Sequence, residues 1–388
     1  MKIDADAIER VTTAFEKNFA NAQETGAAVS IWRSGKSCLH LYEGWRDAEE
    51  TSPWEEDTAV LVWSATKGPS SICLLHALAE VGEKITQPVS DVWPEFAAHG
   101  KAHLTIADVL AHRAGLAALD DKTARFNDRE AVVRAIEAQA PNWDAPHHHG
   151  YGPRMHGYVI DEILRRLTGL SIQDYWRRNF AEPLDLDFWI GLPEELLPRV
   201  AQTLAPRSLT PPSSEADFAK AVSTAGSLTQ RAFSSPTGML TASAMNTPAL
   251  RTSSFPAFGG IGTAPALAAF YAFCAAPRYF EETGASLPSP MSKWCQTRLS
   301  NGLDEVLRIP TAFSAGLMMD PLNESGQKLR TTFGPSLNAF GHPGAGGSVA
   351  FADPENEIGF AYVMNRMEAG VLPGARGQAL VKALYGME

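Results

Sequence analysis

The sequence predicts an α+β fold in which one central antiparallel sheet takes strands from both ends of the chain and a helical region is inserted between them. Three observations predict it: β-rich runs near the start, helical patterns from about residue 64 to 200, and a return to strands in the last quarter.

The chain opens with Ala7, Ile8, Val11, Phe15 and Phe19 at helical spacing, so residues 5–19 form an amphipathic helix. Two β-rich runs follow over 27–33 and 37–45, and the short Ser34-Gly35-Lys36 connection reads as a hairpin. Helical patterns then cover 71–82, 105–112, 129–138, 156–168 and 171–180, with Gly169 at a C-cap position and Ser171 opening the next helix. Residues 206–256 are rich in Ser, Thr, Pro and Ala, lack periodicity, and read as a long surface excursion. Residues 263–274 are helical again. Residues 311–319 read as one strand, and 348–352 with 358–365 as an antiparallel hairpin around the turn at 353–357. A last helix covers 375–385. The expected organisation is a first part of an α/β domain over 1–63, a helical region over 64–290 that includes the 206–256 excursion, and a second part of the α/β domain over 291–388.

A chain of 388 residues suits one large composite domain or two. With 45% hydrophobic and 20% charged residues, it has the balance of a soluble globular protein. A net charge of -11 leaves no excess of Lys and Arg for a phosphate backbone, so no nucleic-acid partner is expected. Cys38, Cys73, Cys274 and Cys295 lie far apart without a C-x-x-C pair, and the consecutive His147, His148 and His149 point in different directions; neither set suits a metal. No run reaches the roughly 18 apolar residues that span a bilayer, so no membrane association is expected. The start, Met1-Lys2-Ile3-Asp4-Ala5-Asp6, is polar where a secretory signal needs a basic flank and an apolar run. The expectation is a cytoplasmic protein with reduced thiols.

The chain has no G-x-S-x-G, H-E-x-x-H, G-x-x-x-x-G-K-[ST] or helix-opening G-x-G-x-x-G, which removes the usual signatures of α/β-hydrolases, zincins, P-loop and dinucleotide enzymes. It does have Ser64-Ala65-Thr66-Lys67 between the apolar runs 59–63 and 72–78. If Ser64 begins a helix, Lys67 shares its face, and a desolvated lysine is a base for a serine hydroxyl. The same spacing also fits an N-cap serine with a surface lysine. A second match, Ser325-Gly326-Gln327-Lys328, sits among turn formers with no apolar helix after it and is set aside. His149-Gly150-Tyr151 precedes a helix, from where a tyrosine either reaches back to a serine as a proton relay or simply packs. Gly341-His342-Pro343-Gly344-Ala345-Gly346-Gly347-Ser348 leads into a strand; it is a flexible turn, or a place where backbone amides face a ligand as an oxyanion hole.

In this order and spacing the three elements resemble the serine β-lactamase and penicillin-binding-protein superfamily, and within it the class C branch and its relatives, the family VIII carboxylesterases. Ser64-Ala65-Thr66-Lys67 matches the superfamily's S-x-x-K. His149-Gly150-Tyr151 with Gly157, Glu162, Arg165, Arg166, Thr168 and Gly169 looks like the esterase branch's H-G-Y and G-W-L-x-G-E-x-x-R-R-x-T-G. Gly341-His342-Pro343-Gly344 stands at the K-T-G position, and 110–116 resembles L-x-H-x-S-G-L. There are departures: Pro153 stands where class C enzymes have Asn, Gly152 where these esterases commonly have His, and His342 where the family has Lys.

The resemblance implies a β-lactamase-like fold, with helices flanking the sheet and a cleft beside the helical region. It also implies Ser64 as nucleophile, Lys67 and Tyr151 as proton carriers, the Ser64 and Ala345 amides as oxyanion donors, and substrate contacts at His342, Pro343 and Gly344. No cofactor or metal is called for. A neutral His342 in place of Lys weakens recognition of a carboxylate and suits uncharged substrates, so the expected partner is a small-molecule ester, cleaved as a short-chain carboxylic ester. Hydrolysis of β-lactams or peptide amides, or acyl transfer, at the same site stays open, as does a non-catalytic binding protein. Trp63, Trp143, Tyr158, Phe255 and Phe258 either pack the core or line an apolar pocket.

Overall fold

Asp4 caps the first helix, Ala5–Ala20, by accepting from Ala7 N at 3.0 Å, and the helix buries Ala7, Val11 and Phe15 along one stripe. The computed structural model describes residues 3–21, 23–238 and 241–387; the outer ends of the expected 1–63 and 291–388 parts and positions 239–240 of the excursion lie outside them. The strands in chain order are β1 (Gly26–Arg33), β2 (Lys36–Gly44), β3 (Val60–Leu61), β4 (Phe188–Ile190), β5 (Gly260–Gly262), β6 (Ser300–Leu303), β7 (Pro310–Phe313), β8 (Met318–Met319), β9 (Phe340–Pro343), β10 (Val349–Asp353) and β11 (Ile358–Met364).

Eight of them form one antiparallel sheet in the order β2-β1-β11-β10-β9-β8-β7-β6. The first two strands dock onto the last because Val29 pairs with Tyr362 and Ile31 with Phe360, a register that keeps each strand's apolar set on matching faces. Val29, Ile31, Phe351, Phe360 and Tyr362 face one core, shared with the helices Ala5–Ala20 and Ala375–Tyr385. The alternate residues are small: Ala28, Ala350, Ala352 and Ala361 face the alanine-rich helix Ala264–Ala275. The approach there is close enough that a Cβ on Gly359 would lie 2.1 Å from Ala268 O. This is the β-lactamase-like architecture expected from the sequence, with an antiparallel sheet flanked by helices.

The helical region is organised around Lys67–Glu80, buried along nearly its whole length and packed against Met155–Thr168. Buried on all sides, it shows little amphipathic periodicity. A second, three-stranded sheet, β3-β5-β4, lies at its N-terminal end.

Several elements differ from the expectation. Residues 311–319 form two strands, because Gly316 at φ +82° turns the chain and Ser314 N bonds Leu317 O at 2.9 Å. The 206–256 stretch carries four short helices, Ala216–Ser223, Leu228–Ser234, Ala242–Met245 and Pro248–Thr252. Ser227 and Thr241 cap two of them, and Phe218, Ala232 and Met245 are buried, but helices this short leave no periodic signature. The helix expected at 171–180 gives way to a wider π turn at Arg177–Ala181. β6, β9 and the small sheet escaped notice because strands this short carry little pattern. Among the described residues no helix is long and apolar enough to cross a membrane.

Candidate active site

A strand–turn–helix sequence presents Ser64. β3 is pinned by β5, with Val62 N bonded to Gly260 O at 2.9 Å and Gly260 N to Thr66 Oγ1 at 2.8 Å. Trp63 then adopts φ +49°, an uncommon conformation for a bulky residue, and the chain enters a 3-10 turn over Trp63–Thr66 before Lys67–Glu80 begins. In a 3-10 turn residues i and i+3 eclipse, which stacks Lys67 on Ser64. Ser64 itself stays partly exposed.

Lys67 is 0% exposed. Its Nζ lies 2.8 Å from Pro153 O, 2.9 Å from Ala257 O and 3.4 Å from Ser64 Oγ. Burial without a carboxylate partner holds its pKa well below the usual lysine value of 10.5. A neutral amine has two N–H bonds and one lone pair. When the amine is neutral and gives both N–H bonds to the two carbonyls, its lone pair is left for the Ser64 hydroxyl.

Tyr151 approaches from the other side. Its phenol lies close enough to Ser64 for the hydroxyl to influence its pKa, and Lys67 Nζ lies 4.8 Å from its ring centroid. Burial raises the phenol pKa above 10; the Ser64 hydroxyl opposes that shift, and the nearby Asp304 adds a smaller upward contribution. Asp304 also holds the backbone: its carboxylate accepts from Tyr151 N at 3.0 and 3.1 Å, from Val306 N and Leu307 N at 2.8 Å each, and from Thr311 Oγ1 at 2.9 Å. Sequence reasoning missed Asp304, since a buried carboxylate bound to amides 153 residues away leaves no local signal.

β9 and the turn after it close the site. Gly344 N bonds Ser348 O at 2.7 Å and Gly347 N bonds Gly344 O at 3.1 Å. The Ala345 N–H and the Ser64 N–H have no backbone acceptor among the described residues. A Cβ on Gly344 would sit 2.1 Å from Val62 O, so only glycine lets this turn lie against the chain that carries Ser64. Gly344→Ala should therefore cost about 1–3 kcal/mol of stability in denaturant unfolding; an unchanged midpoint would contradict the packing described.

His342, Pro343 and Gly344, expected at the substrate, are all buried. The His342 ring is 1% exposed, its Nδ1 lies 2.7 Å from Pro343 O, and its centroid is 5.8 Å from that of Tyr151. Burial and the neighbouring Lys67 drive its pKa well below 6.5, so the ring is neutral. Trp63, Phe255 and Phe258 join Phe126 and Met245 in an apolar cluster onto which Ala345 and Met367 pack. Tyr158 instead donates to Phe126 O within the main core, and Trp143 packs against the cluster that contains Tyr151. The second S-x-x-K stretch is occupied otherwise: Lys328 pairs with Asp320 at 3.0 Å, and Ser325 Oγ bonds Asn323 at 2.8 Å. His149 Nε2 lies 2.8 Å from Thr311 Oγ1, while His147 and His148 are exposed.

An antiparallel sheet with a hydroxyl, a buried amine and a phenol gathered where it meets a helical region defines a β-lactamase-fold hydrolase. The Beta-lactamase family model matches residues 11–384, and the chain belongs to that family. It is 29% identical over 360 residues to "Esterase/beta-lactamase LipL" of Mycobacterium tuberculosis, which spans 92% of this chain and 81% of that protein. Among solved structures, a penicillin-binding-protein homologue from Caulobacter crescentus superposes with a TM-score of 0.86 at 31% identity, over 100% of this chain and 99% of that one. A family VIII carboxylesterase superposes with a TM-score of 0.83 at 28% identity, again over 100% and 99%.

Proposed function

We propose that this hydrolase cleaves short-chain carboxylic esters through an acyl-enzyme on Ser64. The observation that carries the reading is the environment of Lys67: a wholly buried amine whose N–H bonds are taken by two carbonyls, 3.4 Å from a hydroxyl that also meets a phenol. As the Ser64 oxygen attacks the ester carbonyl, its proton passes to the Lys67–Tyr151 pair. The Ser64 and Ala345 amides receive the oxyanion. Collapse breaks the ester C–O bond, and the alcohol leaves with the proton returned through Tyr151. Water then attacks the acyl-enzyme by the same route, losing its proton to the pair and releasing the acid and free Ser64.

Ester substrates are supported by the neutral His342 where a carboxylate-binding Lys stands in the family, by the apolar cluster around Trp63 and Ala345, and by the esterase names among the relatives. The second reading, β-lactam hydrolysis at the same serine, is favoured by the double name of the LipL relative. A panel of p-nitrophenyl acetate, butyrate and octanoate with nitrocefin, followed by intact mass of the trapped protein, tests both. Turnover of the acetate and butyrate with an acyl adduct on Ser64 is expected. Nitrocefin turnover exceeding ester turnover would favour the second reading, and no turnover or adduct with any substrate would sink both.

A further inference from the structure

The Tyr151 loop is held by contacts that the reaction scheme does not use. We propose that His112 is the positioning residue that aims Tyr151 at Ser64, acting as an uncharged imidazole with its proton on Nε2. The inference rests on the esterase reading above, in that Tyr151 must meet Ser64 for the loop's aim to matter.

Three consecutive amides of the loop are bound. Gly150 N donates to His112 O at 3.0 Å, Tyr151 N to Asp304, and Gly152 N to His112 Nδ1 at 3.2 Å. One residue thus holds both neighbours of Tyr151, one through its carbonyl and one through its ring. It does so because His112 adopts φ +58°, a left-handed conformation that histidine visits more readily than most residues. The ring has little freedom to turn away: its centroid lies 5.1 Å from Tyr151, 4.5 Å from His156 and 4.5 Å from Phe313. Tyr151 sits between two glycines, so without these acceptors the backbone would be free to swing the phenol from Ser64.

The bond from Gly152 also decides the tautomer. An amide N–H needs a lone pair, so Nδ1 is bare and Nε2 carries the proton. Protonating Nδ1 would set two donors against each other. Burial opposes that protonation and holds the ring well below the usual histidine pKa of 6.5, and His156, Lys67, His342 and His149 each act in the same direction. A cavity of about 20 Å³ lined by His112 and His156 has room for one water molecule beside the pair.

Two substitutions separate acceptor from bulk. His112→Asn keeps an acceptor oxygen near the Nδ1 position and tolerates the left-handed φ, while His112→Leu fills the space without an acceptor; His112→Gly, which relieves φ and also lacks the acceptor, replaces Leu if that variant fails to fold. His112→Asn should retain p-nitrophenyl acetate kcat within about 5-fold. The Leu or Gly variant should lose about 100-fold in kcat with KM little changed, because an ångström of misplacement costs about that much. Equal losses in the Asn and Leu or Gly variants, or no loss in the latter, would overturn the proposal. A readout independent of turnover is the ¹⁵N spectrum of labelled histidine, with the His112 signals assigned by their loss in His112→Asn. Nδ1 should appear unprotonated and Nε2 protonated across about pH 5.5–9, and a protonated Nδ1 would refute the proposal even in an active enzyme. Wild-type protein without ester turnover or Ser64 labelling would instead refute the esterase reading.

Discussion

Ser64→Ala should lower kcat/KM for p-nitrophenyl butyrate by about 10⁴- to 10⁶-fold, the range seen when a nucleophile that acts as part of a unit is removed. The loss should be confined to chemistry. Ser64 is only partly buried, and its hydroxyl meets Lys67 at 3.4 Å with the Tyr151 phenol nearby. Lys67 keeps both carbonyl partners without it. Thermal unfolding should therefore move by no more than about 1 kcal/mol in equivalent free energy. The adduct formed by a fluorophosphonate on wild-type protein should vanish from the variant's intact mass. Residual turnover within about 100-fold of wild type, with the adduct still present, would move the nucleophile elsewhere.

The second large effect belongs to Lys67. Lys67→Met and Lys67→Arg should each lower kcat by about 10³-fold or more, Met because no base remains and Arg because a guanidinium does not give up its proton at accessible pH. Lys67→Met also strands the carbonyls of Pro153 and Ala257, at about 1–3 kcal/mol each. The gain from no longer desolvating an amine offsets part of that cost.

The pH dependence follows from the direction of the lysine shift. Burial disfavours the ammonium, so the folded amine loses its proton well below 10.5 while the unfolded one keeps it to about 10.5. Between those values the unfolded state binds more protons, and this group's contribution makes the protein more stable as pH rises. For activity, kcat/KM should climb as the amine becomes neutral and level off well before pH 10.5. Tyr151, shifted upward by burial, remains protonated across that range and adds no descending limb there. A rate profile that rises only near pH 10.5 would show an amine with an ordinary lysine pKa and contradict the desolvation described for Lys67.

The site was legible to very different degrees from one residue to the next. Ser64 and Lys67 could be paired from sequence because three positions on one turn of backbone leave little choice of separation. Tyr151 had no such support. Its local context favoured a packing role, and only the likeness of His149-Gly150-Tyr151 and the following helix to the esterase branch singled it out. His342 was placed at the substrate by the same likeness, yet in the fold it lies beneath the surface, hydrogen-bonded to Pro343. Asp304 and the grip of His112 on Gly150 and Gly152 were invisible, because the bonds join backbone groups, which every residue type carries alike.

What the sequence by itself determined is local: the capped first helix, the β1–β2 hairpin, the β10–β11 hairpin, and a serine set three residues before a lysine at the head of an apolar helix. Each follows from side-chain periodicity or from the short reach of a few bonds. Only the tertiary structure decided the chemistry of that lysine. Its two carbonyl partners lie 86 and 190 residues away in the chain, and closure of the helical region against β9 strips it of water. Desolvation depends on everything packed around a group, so it belongs to the folded whole and to no single stretch of sequence.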